Sequence, residues 1–527
     1  MKKTCIHPSW LRSLFARLAV GVKLSALLSV ALLAVGCANP TAVSRETTFQ
    51  PNEGAAVFRL INISDVNVGS IEVTAEGSKE VFTLSSTQFG QTGSTMFIGR
   101  LPAGRYQPTA LYGSGVMVGV KAPLQKLTGK FDVEASRITD LRTIIYLPDA
   151  NDTPPLPGEK NNRGETRFRF SLPLDPTPVP TEQLLATRFP LIAAGVNGRS
   201  NLGWVAGTVP QQPSRLLDQV SRRAATRGTP IFLGEGRTVT AGWLGTVVER
   251  GAAPYSWAAQ NTGGVQQLEA IIRLKDGRWM VGGEEGYLAI ASNLQTRWSR
   301  LPGPAPDEVV FSLLQGPDGS IYMLTMNDAG STVYQSAPDA ISWKVIRRIG
   351  GDRSKMGFEN ASRLRNSAAM SNERLVINTL PNTITSLDLR TGQWESHEAA
   401  RPFLAGIKIT PDGYLTGLLS AATTYGSEDH GKTWHRQEWW TSGSLSDYSE
   451  RNKGIMISAN TGLVIGKYFV RKTEDGGKTW SALHESEGIS WNEVPLWIDP
   501  FDKSGKRLYA IRLGRVYNST DMGATWN

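Results

Sequence analysis

The amino-acid sequence predicts an all-β protein in which a small N-terminal β-sandwich precedes a β-propeller of roughly seven blades. Three observations lead to this prediction. A nearly identical eight-residue segment occurs three times near the C-terminus, tryptophans recur there every 40 to 51 residues, and short β-branched and aromatic runs alternate with turn residues along the chain. A period of this size with one turn motif per unit is typical of propeller blades.

The first 36 residues are predicted to be a secretory signal peptide. Residues 1–23 carry five basic residues and no acidic one, and residues 24–36 (LSALLSVALLAVG) are all small or apolar. A basic flank followed by a short apolar core is typical of an export signal. The core is also shorter than the ~20 residues that a membrane-spanning helix needs. We therefore expect residues 1–36 to be absent from the mature protein.

The end of this segment, residues 33–37 (LAVGC), resembles a bacterial lipobox, with Ala34 where leucine is commoner. The resemblance implies that Cys37 is acylated, palmitate being one such acyl group, and becomes the mature N-terminus. An ordinary signal peptide followed by a chance cysteine is the alternative. Ala38 resembles the residue that sorts lipoproteins to the outer membrane. We expect a lipid anchor in the cell outer membrane, facing the periplasm or the cell surface, with residues 37–54 as a tether.

The predicted leader changes the meaning of the overall charge. The whole chain has a formal charge of +9 and a pI of about 9.4, but five of the positive charges lie in the leader, which leaves +4 for the mature chain. This weak charge does not indicate nucleic-acid binding. Of the two cysteines, Cys5 leaves with the leader and Cys37 carries lipid, so we expect no disulfide in the mature chain.

Residues 55–148 are predicted to form the sandwich, because several short β-branched and aromatic runs are separated there by Gly, Asn and Ser. Residues 101–106 (LPAGRY) resemble the start of a strand in transthyretin-like and carboxypeptidase-regulatory-like sandwiches. A spacer role is favoured over a binding role, and both stay open. Residues 149–164 are predicted to be a linker, because prolines are dense from position 148 to 180 and block both helix and strand pairing.

Residues 165–527 are predicted to form the propeller, in which three octets share the pattern S/T-x-D-x-G-x-T-W. The pattern resembles the Asp-box, or bacterial neuraminidase (BNR) repeat. An Asp carboxylate can accept backbone N–H bonds within a tight turn, and Gly permits a positive φ. We expect these residues to be structural rather than catalytic. They are Ser427, Asp429, Gly431, Trp434, Thr473, Asp475, Gly477, Trp480, Ser519, Asp521, Gly523 and Trp526.

Four upstream tryptophans end degenerate copies of this octet, at positions 257, 298, 343 and 394. Seven such tryptophans indicate seven blades, with six or eight as alternatives. The printed sequence ends one residue after Trp526, before a fourth strand of the last blade. We expect residues 165–172 (ETRFRFSL) to supply that outer strand, because sharing a blade between the two ends of the propeller removes a free sheet edge.

The repeat pattern of this chain resembles that of two known families. Residues 276–283 (DGRWMVGG), followed by residues 285–288 (EGYL), resemble the blade pattern of photosystem II stability and assembly factors, and the octets also resemble those of sialidases. Both resemblances cover residues 165–527 and imply a propeller. They imply little about function, because one fold hosts many functions.

The sialidase resemblance implies three arginines, a Tyr–Glu nucleophile pair and an acidic Asp. Residues 187–190 (TRFP) match the family's N-terminal arginine motif in part, so Arg188 is the candidate catalytic residue of that alternative. No motif identifies the Tyr–Glu pair, and we expect residues 284–287 (EEGY) to be a solvated hairpin tip. Few histidines and no free cysteine remain, so we expect no metal and no cofactor.

The favoured hypothesis is a non-catalytic, lipid-anchored envelope propeller that binds an envelope protein or, less favourably, a glycan. An exo-sialidase is the alternative, and assisting the assembly of an envelope complex is a third hypothesis, by analogy with the photosystem factors.

Overall fold

A computed structural model describes most of the chain from Thr41 onward. The described residues are 41–62, 67–88, 94–114, 119–124, 128–148, 168–171, 181, 185–186, 189–195, 203–209, 230–234, 236–251, 257–264, 266–327, 329–350, 366–379, 383–398, 405–410, 412–418, 424–436, 454–465, 469–485, 496–498, 506–512 and 515–527. The predicted signal peptide, Cys37, the linker at residues 149–164 and Arg188 lie outside them.

The N-terminal unit is one hydrogen-bonded sheet of nine strands. They are β1 (Glu53–Asn62), β2 (Asn67–Ala75), β3 (Val81–Gln88), β4 (Ser94–Pro102), β5 (Gly104–Ser114), β6 (Gly119–Pro123), β7 (Phe131–Val133), β8 (Ile138–Pro148) and β9 (Phe168–Ser171). The order in the sheet is β6-β5-β2-β3-β4-β1-β8-β9, and β7 pairs with β5. This pairing does not confirm two separate sheets of a sandwich.

The alternation of side chains along β1 explains how this sheet buries both faces. Ala56, Phe58 and Leu60 point into one core, which also takes side chains from β2, β3, β4, β5, β7 and β8. Ala55 and Val57 point to the opposite face, where a second core includes residues of the helix α1 (Pro190–Gly195).

Strand β9 is where the structure contradicts a prediction. Residues 168–171 pair with β8 of the N-terminal sheet, from Ile145↔Ser171 to Pro148↔Phe168, and not with the last propeller sheet. The expectation that residues 165–172 complete the last blade is therefore wrong. Trp204 also belongs to the N-terminal unit, because its indole N–H donates to the Leu141 carbonyl at 3.0 Å.

Seven further sheets follow in the part of the chain that the structure describes. Sheet 1 is β10 (Ile231–Gly234), β11 (Arg237–Ala241), β12 (Thr246–Arg250) and β13 (Trp257–Asn261); sheet 2 is β14 (Leu268–Arg273), β15 (Trp279–Gly283), β16 (Leu288–Ala291) and β17 (Ser299–Arg300); sheet 3 is β18 (Val309–Gln315), β19 (Ile321–Asn327), β20 (Gly330–Ser336) and β21 (Lys344–Gly350). Sheet 4 is β22 (Ser367–Met370), β23 (Arg374–Thr379), β24 (Thr383–Asp388) and β25 (Trp394–Glu398); sheet 5 is β26 (Ala405–Ile409), β27 (Leu415–Leu418), β28 (Thr424–Ser427) and β29 (His435–Arg436). Sheet 6 is β30 (Gly454–Met456), β31 (Gly462–Ile465), β32 (Phe469–Thr473) and β33 (Ser481–Glu485); sheet 7 is β34 (Leu496–Ile498), β35 (Leu508–Arg512) and β36 (Arg515–Ser519).

These sheets form a multi-bladed propeller, because each is an antiparallel meander and each packs on the next through an apolar seam. For example, Val281 of sheet 2 and Val239 of sheet 1 share one cluster, and Val310 of sheet 3 packs with Met280 of sheet 2 in another. Sheet 7 also contacts sheet 1, where the Phe232 and Tyr509 rings stack with centroids 4.8 Å apart. Such a pair adds about 1 kcal/mol beyond its buried area.

A meander places its turns at two opposite ends of each sheet. The turn between the second and third strands lies at one end, and the turn between the third and fourth strands lies at the other. The octets occupy the third-to-fourth turns, and we call that end the octet end; the opposite end is the contact end. Among the described residues, no helix is long and apolar enough to cross a membrane.

Candidate functional site

Each octet forms a turn that is held by its own side chains. In the octet of sheet 5, Ser427 Oγ donates to Asp429 at 2.9 Å and accepts the Gly431 N–H at 2.8 Å. Asp429 accepts the Thr433 N–H at 2.8 Å and the Thr433 hydroxyl at 2.6 Å. The Trp434 indole N–H donates to the Gly431 carbonyl at 2.9 Å. Every fixed position of the motif therefore makes a specific hydrogen bond.

The other two octets repeat these bonds. Asp475 accepts the Thr479 N–H at 2.8 Å, and Asp521 accepts the Thr525 N–H at 2.9 Å. The φ angles of Gly431, Gly477 and Gly523 are 92°, 90° and 92°. Residues with a Cβ adopt such positive φ angles only at a cost in free energy. The glycine is thus required by the backbone of the turn.

Hydrogen bonds within the turn also stabilise the ionised carboxylates. The Thr479 hydroxyl and then its N–H lower the pKa of Asp475 to about 2. For Asp521 and Asp429, burial raises the pKa, but the bonds from Thr525 and Thr433 outweigh it, and the pKa of Asp521 falls to about 2. These carboxylates are committed to the backbone, so the arrangement gives them a structural role.

The degenerate turn of sheet 3, residues 336–343 (SAPDAISW), lacks this network. Pro338 stands at the Asp position and Ala340 at the Gly position, with φ at 62°. The Ser336 hydroxyl is buried, and neither it nor the Trp343 indole N–H has a hydrogen-bond partner among the described residues. A buried polar group left unpaired costs free energy, so this turn lacks part of the stabilisation that the three octets have.

At the contact end, residues 284–287 do not form the solvated hairpin tip that the sequence led us to expect. Glu285 forms an ion pair with Arg59 of β1 at 2.5 Å, and both side chains are about nine-tenths buried. Gln266 donates a second bond to Glu285 at 2.9 Å. This turn therefore attaches the N-terminal sheet to sheet 2.

The rest of the turn is fixed by neighbouring segments. The Tyr287 hydroxyl donates to the Thr262 carbonyl at 2.7 Å, and the Gly286 N–H donates to the Glu308 carbonyl at 2.7 Å. Gly286 has a φ of 62°, and a Cβ there would lie 2.5 Å from the Pro304 carbonyl oxygen. Sheets 1 and 3 therefore both hold the turn that Arg59 contacts.

The structure brings together a Tyr–Glu pair that no sequence motif revealed. The Tyr334 hydroxyl lies 3.0 Å from Glu308 Oε1, and the Thr325 hydroxyl donates to the same buried carboxylate. Burial, and then the charge of Glu308, raise the pKa of Tyr334. The two residues are 26 positions apart, so only the register of sheet 3 joins them.

The alternative catalytic residue, Arg188, lies outside the described residues. Its described neighbours Leu185 and Phe189 pack in the second core of the N-terminal sheet. No group of three or more His, Cys, Asp or Glu side chains suited to a metal ion occurs among the residues that the structure describes.

Comparisons with known proteins return structures but no family. No family model and no curated protein matches the chain. A structure of YCF48 bound to D1 peptide is 16% identical with a TM-score of 0.38, over 56% of this chain and 94% of that one. YCF48 from Cyanidioschyzon merolae is 13% identical with a TM-score of 0.38, over 55% and 94% of the two chains.

A third similar structure is the Cps50 (Swd1) β-propeller domain of Myceliophteria thermophila, 13% identical with a TM-score of 0.38, over 55% of this chain and 96% of that one. These values say nothing about function, and the propeller arrangement described above is established by strand pairing.

The positive φ of Ala340, in the degenerate turn of sheet 3, predicts a stabilising substitution. Ala340→Gly should raise the free energy of unfolding by about 1 kcal/mol, because glycine removes the left-handed penalty at this position. Urea unfolding followed by tryptophan fluorescence measures this. Ala337→Gly, in the same turn at an ordinary φ, is the control and should be neutral or destabilising. Equal gains from both variants would contradict the strain.

The low pKa values of the octet carboxylates predict a pH dependence. The pKa of Asp475 in the folded protein, about 2, lies below its ordinary value of 3.8. Its contribution is therefore present above pH 4 and is lost as the pH falls from about 4 to 2. Asp475→Asn should lower the melting temperature at pH 7 and flatten its decline between pH 4 and pH 2. Glu428→Gln, which removes an exposed carboxylate from another octet, should leave both unchanged; a matching effect would refute the assignment.

The Arg59–Glu285 contact predicts coupling between the N-terminal sheet and the propeller. Arg59→Met or Glu285→Gln should destabilise the protein by about 3 kcal/mol, because each removes one partner of a buried ion pair. The double variant should lose less than the sum of the two. Urea unfolding should change from one transition to two. Arg100→Met, which removes the Glu53 ion pair inside the N-terminal sheet, should keep one transition; two transitions there would argue against the coupling.

Proposed function

We propose that this protein is a lipid-anchored, non-catalytic scaffold of the cell envelope that binds a protein partner on its propeller. The observation that carries the proposal is the buried Arg59–Glu285 pair, which joins the N-terminal sheet to sheet 2. An anchor on the N-terminal sheet would then hold the propeller in a defined orientation. Rigid presentation of loops is what a binding scaffold requires.

The path from the proposed anchor to the sheet supports this proposal. The Thr41 hydroxyl donates to the Thr83 carbonyl, and the Arg100 N–H donates to the Thr41 carbonyl at 3.1 Å. Phe49 and Val43 pack against the second core. Cys37 lies only four positions before Thr41, a reach of ~14 Å at full extension. With lipid on Cys37, the N-terminal sheet would lie against the outer membrane instead of on a long tether.

We also propose that the propeller has seven blades, with sheet 7 as the last. The stacking of Tyr509 on Phe232 supports this count, and so does a bond from the Gly236 N–H to the Tyr509 hydroxyl at 3.3 Å. We interpret the octets as Asp-boxes, because in all three the Asp accepts a Thr N–H and the Trp indole donates to the Gly carbonyl.

The test starts from a cysteine variant. Cys37→Ala should move the protein from the outer-membrane fraction to the soluble envelope fraction, as measured by membrane flotation. Ala38→Ser changes the neighbouring residue and keeps the cysteine, so it should stay with the membrane. Retention of the Cys37→Ala protein in the membrane would contradict lipid anchoring.

The binding role is tested with the same soluble variant. Immobilised Cys37→Ala protein should retain a defined envelope protein that then binds the purified chain in solution with a measurable Kd. The Arg59→Met variant should bind it with unchanged affinity if only the propeller makes contact. No reproducible partner, together with cleavage of a sialoside, would replace the scaffold with an enzyme.

The exo-sialidase alternative gains one observation, the Tyr334–Glu308 pair. The raised pKa of Tyr334 does not favour it as a nucleophile, because the phenol stays protonated. An assay with a fluorogenic sialoside tests whether the protein has sialidase activity. Turnover that Tyr334→Phe abolishes, with the fold intact by circular dichroism, would establish the alternative; no turnover above a heat-inactivated sample would remove it.

A further inference from the structure

Lys408 stands at a position where sheets 2 and 3 have apolar side chains. It lies on β26, the first strand of sheet 5, opposite Thr416. The corresponding residues are Ile272, opposite Met280 in sheet 2, and Leu314, opposite Tyr322 in sheet 3. Both pack into the seam with the following sheet. A lysine here places an ammonium group where the repeat otherwise places a hydrocarbon.

The direction of the Lys408 side chain follows from its neighbours on the strand. Ile407 and Ile409 pack against Val376 and Ile384 of sheet 4. Because successive side chains point to opposite faces of a strand, Lys408 points away from sheet 4 and toward the seam with sheet 6.

Lys408 lacks a partner among the described residues, since no hydrogen bond or ion pair involves its ammonium group. Asp412 and Tyr414, two titratable groups described in this seam, have other partners. Asp412 accepts the Thr410 hydroxyl and the Ala459 N–H, the latter at 2.9 Å, and the Tyr414 hydroxyl lies 3.1 Å from His435 Nε2. The positive charge has no counter-ion from these groups.

The Lys408 side chain nevertheless keeps accessible surface. Protein atoms crowd around it, and this loss of solvation lowers the pKa of its ammonium group. Strand β26 contacts β22, and the first strands of other neighbouring sheets also contact one another. Lys408 therefore lies on an inner strand near the propeller axis and not on the outer surface. An ion from solution can therefore reach the amine.

We propose that Lys408 is the charged group of an internal anion site, in the seam between sheets 5 and 6, that takes an oxyanion: a carboxylate or a phosphate. The ammonium group has no counter-ion among the described residues, and a bound oxyanion would supply one through a charge-assisted hydrogen bond. This site goes beyond the scaffold role and does not depend on it.

The test uses the purified Cys37→Ala chain with its lysines reductively methylated with 13C, which keeps their charge. One dimethyl-lysine signal, missing from Lys408→Met, should titrate below the others in anion-poor buffer. Inorganic phosphate or acetate should move the titration midpoint of this signal to higher pH. Each anion should bind the Lys408→Met variant with about tenfold lower affinity than the parent, since one charge-assisted bond is lost. Lys344→Met, on the exposed strand β21, should bind as the parent does.

The two anions separate the two sources of an oxyanion. A response to phosphate alone assigns the site to phosphate-bearing ligands, and a response to acetate alone assigns it to carboxylates. A Lys408 signal that titrates with the other lysines, or one that neither anion moves, overturns the proposal. Lys408→Met should also raise the melting temperature, because it restores the apolar residue of the repeat; a lower melting temperature would count against the unpaired charge.

Discussion

The propeller depends on how the backbone N–H groups of its third-to-fourth turns are satisfied. Each such turn reverses the chain abruptly and leaves N–H groups without strand partners, which need acceptors. The three octets use an Asp carboxylate. Asn293 does the same for Gln295 and Thr296 in sheet 2, and Asp388 does it for Arg390 and Thr391 in sheet 4. The side-chain acceptor persists where the octet motif has decayed, because the requirement belongs to the turn and not to the motif.

This local origin explains which features could be predicted from sequence. The bonds of Asp429, Gly431 and Trp434 all lie within eight residues, so the spacing of the motif contains the geometry. The same holds for the antiparallel meander of each sheet, in which consecutive strands pair. The position of β9 could not be predicted in this way, because its strand-like alternation fits any free edge, and the edge of β8 is the one that it pairs with.

The side-chain contacts at the contact end could not be predicted from the sequence, for a related reason. Glu285 lies in a short turn between two strands, which sequence rules assign to solvent, yet Arg59 lies more than two hundred positions earlier. Arg59 is itself unremarkable in sequence as one charged residue within the apolar strand β1. The Tyr334–Glu308 pair likewise depends on strand register. Contacts that join separate segments carry the candidate site, and no local motif encodes them.

The two ends of the propeller consequently differ in what they can offer a ligand. At the octet end the carboxylates hold the backbone, so their pKa values are low and their oxygens are occupied. At the contact end Glu285 is covered by the N-terminal sheet, and Glu308 accepts hydroxyl groups. At both ends, these carboxylates thus make hydrogen bonds or ion pairs within the protein. The ammonium group of Lys408, in a seam between sheets, has no hydrogen-bond or ion-pair partner among the described residues. An anionic ligand would supply the missing partner, because Asp412, an acidic residue described in this seam, already accepts the Thr410 hydroxyl and the Ala459 N–H.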